Sequence, residues 1–552
     1  MQVVAAALVL FLTVLSSPSA GNAEEAKAAL SPAAAGIEQL VRSRGDEAGE
    51  PLELRAQLER FYSARSFEPA FGSERDSRAL IEAIKGAGEH GLRPERYHLN
   101  SIERLESGPA RDVLMTDAFL TLASHLDAGI ENPYFSRANQ QRPQSGTDLV
   151  AALAAALERR DVKGALERLA PQTEEYRRLM AAMKRADEMA ASESWPRVPE
   201  GGARKIEPGK RDPRIPAIRA RLAAEGFVQG PSRSAERNRS EINGHMAASS
   251  AALPEDLYDE ELVQAVMSFQ EKYGLGVDGV IGRATLANLN YDPAFRACQV
   301  RVNLDRLRGL RHVIVTDRYA LVNIPEFSLT IYENGAPIKE MKVIAGMVDR
   351  KSPLMSDNIR FIVFSPKWHV PRSIAVKDKL PKIKKDPSYI RRQGMKVYTV
   401  GETGIEEVEP ESIDWEEVDA SNFAYRIVQD ARDDNALGRV KFMFPNRHDV
   451  YLHDTPTKSL FNSGTRTFSS GCIRISDPIW FAEYLLRDTG AWDRGRIDGA
   501  MKRASPLVVD LPEKMPIHIL YISARGDERG EPVFRHDVYG FDRALSKRLC
   551  GQ

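Results

Sequence analysis

The sequence predicts a multidomain α+β protein: an all-α N-terminal scaffold, a small three-helix unit, and a mostly antiparallel β domain carrying an inserted lid. Three observations carry that reading. The chain has 552 residues, which suits three or four domains at about 150 residues each. Residues 35–200 are rich in Ala, Leu, Glu and Arg, with apolar residues at helical spacing. From Val313 the period changes to two with β-branched enrichment, as strands require. The apolar share of 42% allows a sizeable core. The 77 basic and 78 acidic side chains nearly cancel, so no global charge points to nucleic acid or an acidic membrane face.

The chain opens "MQVVAAALVLFLTVLSSPSAGNAEE". An apolar run from Val3 to Leu15, followed by small residues, reads as an export signal cleaved after Ala20 or Ala23, giving a signal peptide over 1–23. No Lys or Arg precedes the run, and it is short for a bilayer span. Left uncleaved, it would act as an anchor. Of the three cysteines, Cys298, Cys472 and Cys550, at least one stays free in an exported chain. Cys298 and Cys550 either pair or remain thiols. No CxxC, HExxH or paired Cys/His spacing is present, so no metal or other cofactor is expected.

In the scaffold, "LRAQLERFYSAR", "SRALIEAIKGAGEHG" and "VLMTDAFLTLASHLDAGI" read as helices. His90, His98 and His125 are isolated there and are expected to be structural. The stretch "WPRVPEGGARKIEPGKRDPR" reads as a linker. The unit over 212–291 starts a helix at Asp212-Pro213 and ends it at Gly226. Its second helix carries Leu262, Val266, Phe269 and Tyr273 on one face and stops at Gly274. Ala284 to Leu289 begins a third. Between them a polar loop, 229–256, lacks large apolar residues.

The β domain spans 312–525. Asn334-Gly335 between two alternating runs signals a type I′ hairpin. "IRFIVFSPKW", "VKFMFPNRHDVYLH" and "MPIHILYI" are further strands. Residues 376–440 interrupt the pattern with a basic half, "KDKLPKIKKDPSYIRRQ", and an acidic half, "GIEEVEPESIDWEEVD". This insertion lacks strand alternation and is read either as a lid or as a self-paired solvated face. Residues 526–552 form a C-terminal tail.

Chemistry concentrates in "RTFSSGCIRI", which holds Cys472, and in "VYLHDTP", where His453 lies nineteen residues upstream. A thiol attacks only as thiolate, and an ordinary thiol is only a few per cent ionised at neutral pH. It needs an imidazole or a positive environment. His453 ends a strand-like run, and Cys472 follows a glycine turn, so adjacent elements can bring them together. Arg466 and Arg474 supply positive charge. Gly471 permits a turn that aims the Cys472 N–H at a developing oxyanion.

Two stretches resemble known families. Phe269-Gln270, Gly274-Leu275, Asp278-Gly279, Ile281-Gly282 and Thr285-Leu286 resemble the peptidoglycan-binding domain type 1 family. "HDTPTKSLFNSGTRTFSSGCIRI" resembles the active-site signature of the L,D-transpeptidase family with its YkuD-type catalytic domain. The matching positions are His453, Asp454, Thr455-Pro456, Leu460-Phe461, Arg466 and Ser469-Ser470-Gly471-Cys472-Ile473-Arg474. "PKWHVPRSIAVKDKLPK" and "DNALGRVKFMFPNRHDVYLHDTP" extend the likeness. Many members have His before the Gly; here it is Ser470, which leaves His453 as the one obvious base. Members often carry Pro-Gly where this chain has Asp433-Asp434. With its helices and lid, the chain looks like the large multidomain Gram-negative branch.

The resemblance implies a Cys472 nucleophile and a His453 base, with Gly471, Ser470, Arg474 and Asp454 supporting the oxyanion. Trp368, Arg466 and Ser469 would bind substrate. It implies periplasmic work on peptidoglycan stem peptides, a tetrapeptide donor and a diaminopimelate acceptor, with no nucleic acid and no metal, and leaves room for cell-wall synthesis proteins as partners. The product would be a 3-3 cross-link. Rival readings are a carboxypeptidase or amide hydrolase with the same site, and a silent cell-wall-binding scaffold. The oligomeric state is not readable.

Overall fold

The computed structural model describes residues 30–43, 50–131, 147–191, 195–228, 254–401 and 404–551. The expected signal peptide lies outside them, as does the loop 229–256 apart from its last three residues.

The scaffold is helical throughout and is organised by the helix Pro109–Ala128, whose Leu114, Ala118, Phe119 and Leu122 are fully buried or nearly so. Two acids on this buried helix are satisfied by loop donors, as burial demands. Asp112 accepts the N–H groups of Ala70 (3.0 Å) and Phe71 (2.7 Å) and the Tyr62 hydroxyl (2.5 Å). Asp117 accepts the N–H groups of Glu53 and Leu54 and faces His98, which also meets Glu50. His90 and His125 each meet a tyrosine hydroxyl. The three histidines are bound into the packing of this domain.

Helices Ile215–Ala224, Glu260–Lys272 and Arg283–Leu289 make the small unit. Asp259 caps the second by accepting the Leu262 N–H at 3.0 Å. Leu262, Val266, Phe269 and Tyr273 are buried. Gln270 folds the following turn back over its helix: it donates to Asp278 and to the Val280 carbonyl, and accepts from the Asp278 and Gly279 N–H groups. The described part of the expected linker is packed rather than loose. Trp195 stacks under the Arg221 guanidinium at 3.9 Å, Val198 exchanges two hydrogen bonds with Asn290, and Ile206 bridges Ile281.

The helix Pro293–Leu310 is the spine of the molecule. It mixes charged and apolar residues on every face, yet nearly every residue is buried, so its charges must be paired internally. Arg306 bonds Asp542 at 2.6 Å with both side chains fully buried. Arg308 pairs with Asp305, which also accepts the N–H groups of Ile130 and Glu131 from the scaffold. Arg296 stacks on Tyr273, Tyr291 and Phe534. Cys298 forms a disulfide with Cys550.

The β domain begins with β1 (Tyr319–Asn323), β2 (Ser328–Glu333), β3 (Ala336–Gly346) and β4 (Met355–Phe364). β5 (Trp368–His369), β6 (Met395–Gly401), β7 (Gly404–Val408) and β8 (Arg426–Gln429) follow. Then come β9 (Val440–Met443), β10 (Leu452–His453), β11 (Thr467–Ser469), β12 (Ile473–Ile475) and β13 (Leu507–Leu520). The main sheet runs β11-β3-β12-β10-β9-β4-β13-β1-β2, and β2 also pairs β3, so the order closes on itself. Most pairings are antiparallel; β1–β13, β10–β12 and β11–β3 are parallel. Val322, Leu329, Val343, Ile362, Phe442 and Leu452 fill the interior. Asn334 and Gly335 turn β2 into β3 with φ of +52° and +74°, as a type I′ turn requires.

Two expectations change. The insertion 376–440 does contain strands: β6, β7 and β8 join β5 in a separate sheet ordered β5-β8-β6-β7. Its own core includes Trp368, Leu380, Ile383, Val397, Trp415 and Ile427. Charge hid the pattern, because β7 is almost wholly exposed and its Glu407 faces Lys396 across the hairpin. The segment 526–552 is no loose tail. It holds β15 (Pro532–Phe534), which pairs β14 (Ala524–Gly526), and the helix Phe541–Leu549, which packs on the spine.

Replacing Asp542 by Ala removes the carboxylate that meets the buried charge of Arg306. We expect a loss of about 3–5 kcal/mol in denaturant unfolding. A loss within about 1 kcal/mol, the scale of a surface pair, would show that this pair does not anchor the C-terminal helix.

Candidate active site

Register builds the site. β10 lies between β9 and β12, with Leu452 opposite Phe442 on one side and Ile473 on the other. These three are buried in the barrel. Alternation then turns His453, Lys441 and Arg474, which form the next cross-strand row, to the opposite face. Tyr451 and Cys472, one pleat earlier, share that face; the Tyr451 carbonyl accepts the Ile473 N–H at 3.1 Å. Cys472 and His453 are therefore diagonal neighbours on adjacent strands.

A tight turn presents Cys472. Gly471 has φ +118°, a conformation that excludes most side chains. The Ser469 hydroxyl accepts the Gly471 N–H (3.2 Å) and donates to the Cys472 carbonyl (2.5 Å). The Ser352 hydroxyl donates to the Gly471 carbonyl (2.7 Å) and accepts the Gly346 N–H (3.0 Å). Tyr539, from the C-terminal segment, closes the set: its hydroxyl accepts the Ser352 N–H and donates to the Gly346 carbonyl. Among the described residues the Cys472 N–H has no acceptor, so it is available to an oxyanion.

His453 is only 4% exposed. Its Nδ1 lies 2.5 Å from the Asp454 carbonyl, which sets the proton on Nδ1 and leaves Nε2 as the base. Burial first, and then the Arg474 charge, push the imidazole pKa down to about 3, with Lys441 adding to the fall; the Asp454 and Leu437 carbonyls oppose it. The Leu437 carbonyl is placed by fully buried Asn435, whose amide donates to the Asp430 carbonyl and accepts the Leu437 N–H, both at 2.8 Å. The Asp454 carboxylate faces away from the ring. It accepts the Arg439 N–H (2.9 Å) and meets Lys458 (2.5 Å). A Cβ at Gly438 would fall 2.4 Å from that carboxylate, so glycine is required there.

Cys472 is partly exposed and lies 3.9 Å from the Asp449 carbonyl. Burial raises its thiol pKa, opposed by the Tyr451 N–H and hydroxyl and by the charges of Lys441 and Arg474. With Cys298 and Cys550 joined, it is the chain's one free thiol. Above it lies a cavity of about 720 Å³, floored by Cys472, His453, Tyr451, Lys441 and Arg474. Trp368, 8% exposed with the Lys379 ammonium 5.1 Å above its ring, forms part of the wall. Arg350, on the loop after β3, bonds Asp378 of the insertion at 2.5 Å, tying the insertion to the barrel.

Of the residues singled out in the sequence, Cys472, His453, Ser469, Ser470, Arg474 and Trp368 line this one cavity. Gly471 and Asp454 stand behind it as supports. Arg466 is not brought to it: its guanidinium donates to the carbonyls of Val343, Ser463 and Phe327 and pins those loops. The sequence reading missed Tyr451 and Lys441. Tyr451 was findable, since period two puts it on the face of His453. Lys441 needs the β9–β10 register. Among the described residues no cluster of His, Cys, Asp and Glu is placed to hold a metal ion.

Comparisons with known proteins assign the domains. Residues 317–509 match the L,D-transpeptidase catalytic domain (YkuD), residues 56–183 a scaffold domain, and residues 244–289 a "putative peptidoglycan binding domain". The chain carries these three domains. The "putative L,D-transpeptidase" of Haemophilus influenzae is 34% identical over 260 residues, 47% of this chain and 50% of that protein. The chain thus spans about half the length of the curated relative it matches. A crystal structure of the L,D-transpeptidase from Xylanimonas cellulosilytica aligns over 58% of this chain and 100% of that one at 14% identity, with a TM-score of 0.18, too weak a superposition to bear on the fold.

His453 resists in the folded state a proton that an unfolded imidazole accepts near pH 6.5. Its contribution to stability is complete above that pH and is lost as pH falls toward 3. At a pH of about 4.5 the loss is about 2–3 kcal/mol. His453→Gln should therefore flatten the fall of Tm between pH 6.5 and 4.5 relative to wild type. An unchanged slope would mean that the folded imidazole is charged.

Proposed function

We propose that the catalytic domain is a peptidoglycan L,D-transpeptidase that works through a Cys472 thioester. The observation that carries the reading is the single free thiol, on one sheet face with His453 and Tyr451, at the floor of a covered cavity within the matching domain.

Cys472 sulfur attacks the carbonyl at the L-centre of diaminopimelate in a tetrapeptide stem. As the S–C bond forms, the thiol proton passes to His453 Nε2. The oxyanion is met by the Cys472 N–H and the Tyr451 hydroxyl. Collapse breaks the C–N bond, and His453 gives its proton to the departing D-Ala amine. The side-chain amine of a second stem's diaminopimelate then attacks the thioester. It loses its proton to His453, and collapse returns the thiol and a 3-3 cross-link. Water as acceptor makes the same site a carboxypeptidase; a protein lysine makes it an anchoring enzyme. The folded insertion with its own core and the Arg350–Asp378 tie support a lid rather than a merely solvated face. The substrate places the work outside the cytoplasm, in the periplasm. Among the described residues no helix is long and apolar enough to cross a membrane.

The test is intact mass after incubation with a carbapenem, a β-lactam that acylates this family's thiol. We expect a stable adduct on wild type, none on Cys472→Ala, and formation slowed about 100-fold or more in His453→Ala. Tetrapeptide stems should then yield 3-3 dimers. No adduct under any condition would put the silent wall-binding scaffold first.

A further inference from the structure

We propose that Lys441 is the counter-cation of the Cys472 thiolate: a positioning residue whose fixed ammonium charge makes the thiol ionisable in a covered site. This rests on the reading of Cys472 as nucleophile and adds a group that lies in neither the His nor the Cys motif.

The argument starts from the cross-strand row on β9, β10 and β12. His453 sits directly between Lys441 and Arg474. An imidazolium there would have a cation on each side in a buried setting, an arrangement that burial and like charge both oppose. A lasting thiolate–imidazolium pair is therefore disfavoured, and the thiolate's charge must be met by another group. Lys441 is the group so placed. Its side chain leaves the His453 row and leans over Tyr451, with the ammonium 5.2 Å from the ring centroid. Tyr451 is the residue that turns its hydroxyl and N–H toward the sulfur. No carboxylate among the described residues pairs with Lys441.

Apart from Arg474, the other charged and titratable groups around Cys472 are differently committed. From the lid side, Arg350 is bonded to Asp378 and Lys367 to Asp430. Lys379 lies over Trp368 and donates to the Tyr389 hydroxyl. His369 of β5 is exposed. From the turn before β10, His448 takes a bond from Arg447, and Asp449 offers its carbonyl to the thiol. Arg474 is the second free cation of the row, two residues along the same strand from Cys472. Burial lowers the pKa of Lys441 while the charge of Cys472 raises it, as expected for a pair that shares a desolvated site. In this scheme the thiol proton passes to His453 as the S–C bond forms and from there to the leaving amine, while Lys441 meets the negative charge on the sulfur. Lys441 keeps its three protons and transfers none. His453 holds protons only in transit, at the attack and at the leaving amine.

The test uses the full chain with its disulfide intact, in which Cys472 is the one alkylatable thiol. Iodoacetamide reacts with the thiolate, forming the S–C bond and releasing iodide, so rate against pH reports the thiol's own ionisation without any substrate. We expect Lys441→Met to move the midpoint up by about one pH unit and to slow alkylation at pH 7 about tenfold, with the high-pH plateau unchanged. Lys441→Arg should restore most of the shift. An unmoved midpoint in a folded Lys441→Met, or an equal shift in Lys441→Arg, would overturn the proposal. A shifted midpoint without any carbapenem adduct would sink the transpeptidase reading and leave the charge pair standing. An adduct with an unmoved midpoint would do the reverse.

Discussion

One register decides this site: Leu452 opposite Phe442 and Ile473. A slip of one residue would put Leu452 on the cavity face and His453 in the barrel, because side chains alternate with a period of two. The three apolar residues prevent that slip by being buried together. The strength of the hydrophobic core is thereby converted into the placement of the five side chains on the opposite face, of which only Tyr451 and Cys472 also pack against it. The chemistry is held by residues that do none of it.

A second constraint acts from outside the sheet. The spine helix buries Arg306 and Arg308 against internal carboxylates, and one of those carboxylates, Asp542, belongs to the far end of the chain. Docking that end brings Tyr539 to the loop at Gly346 and Ser352, and Ser352 holds the carbonyl of Gly471. The backbone turn at the nucleophile is thus connected, bond by bond, to the C-terminal segment and through the spine to the scaffold.

Much of this was legible in the sequence. The switch of period at Val313, the Asn334-Gly335 hairpin and the apolar face around Phe269 are local signals, and each appears in the structure. The Cys472 and His453 strings marked the two elements that meet. What could not be read depended on pairing between distant segments. Lys441 looks like an ordinary polar strand position until β9 is laid beside β10. Arg466 looks like a substrate arginine until its donors are seen to be used by three carbonyls. The lid strands were hidden because solvated, charge-paired hairpins lack apolar alternation on both faces. The last 27 residues (526–552) read as a tail because their partners lie on a helix more than 200 residues earlier.

The disulfide between Cys298 and Cys550 has a consequence for maturation. Three cysteines admit three pairings, and two of them consume Cys472. Only the bond that fastens the last helix to the spine leaves Cys472 reduced. Oxidative folding in such a chain is therefore also a sorting step: the one sulfur left as a thiol is defined by how the other two pair.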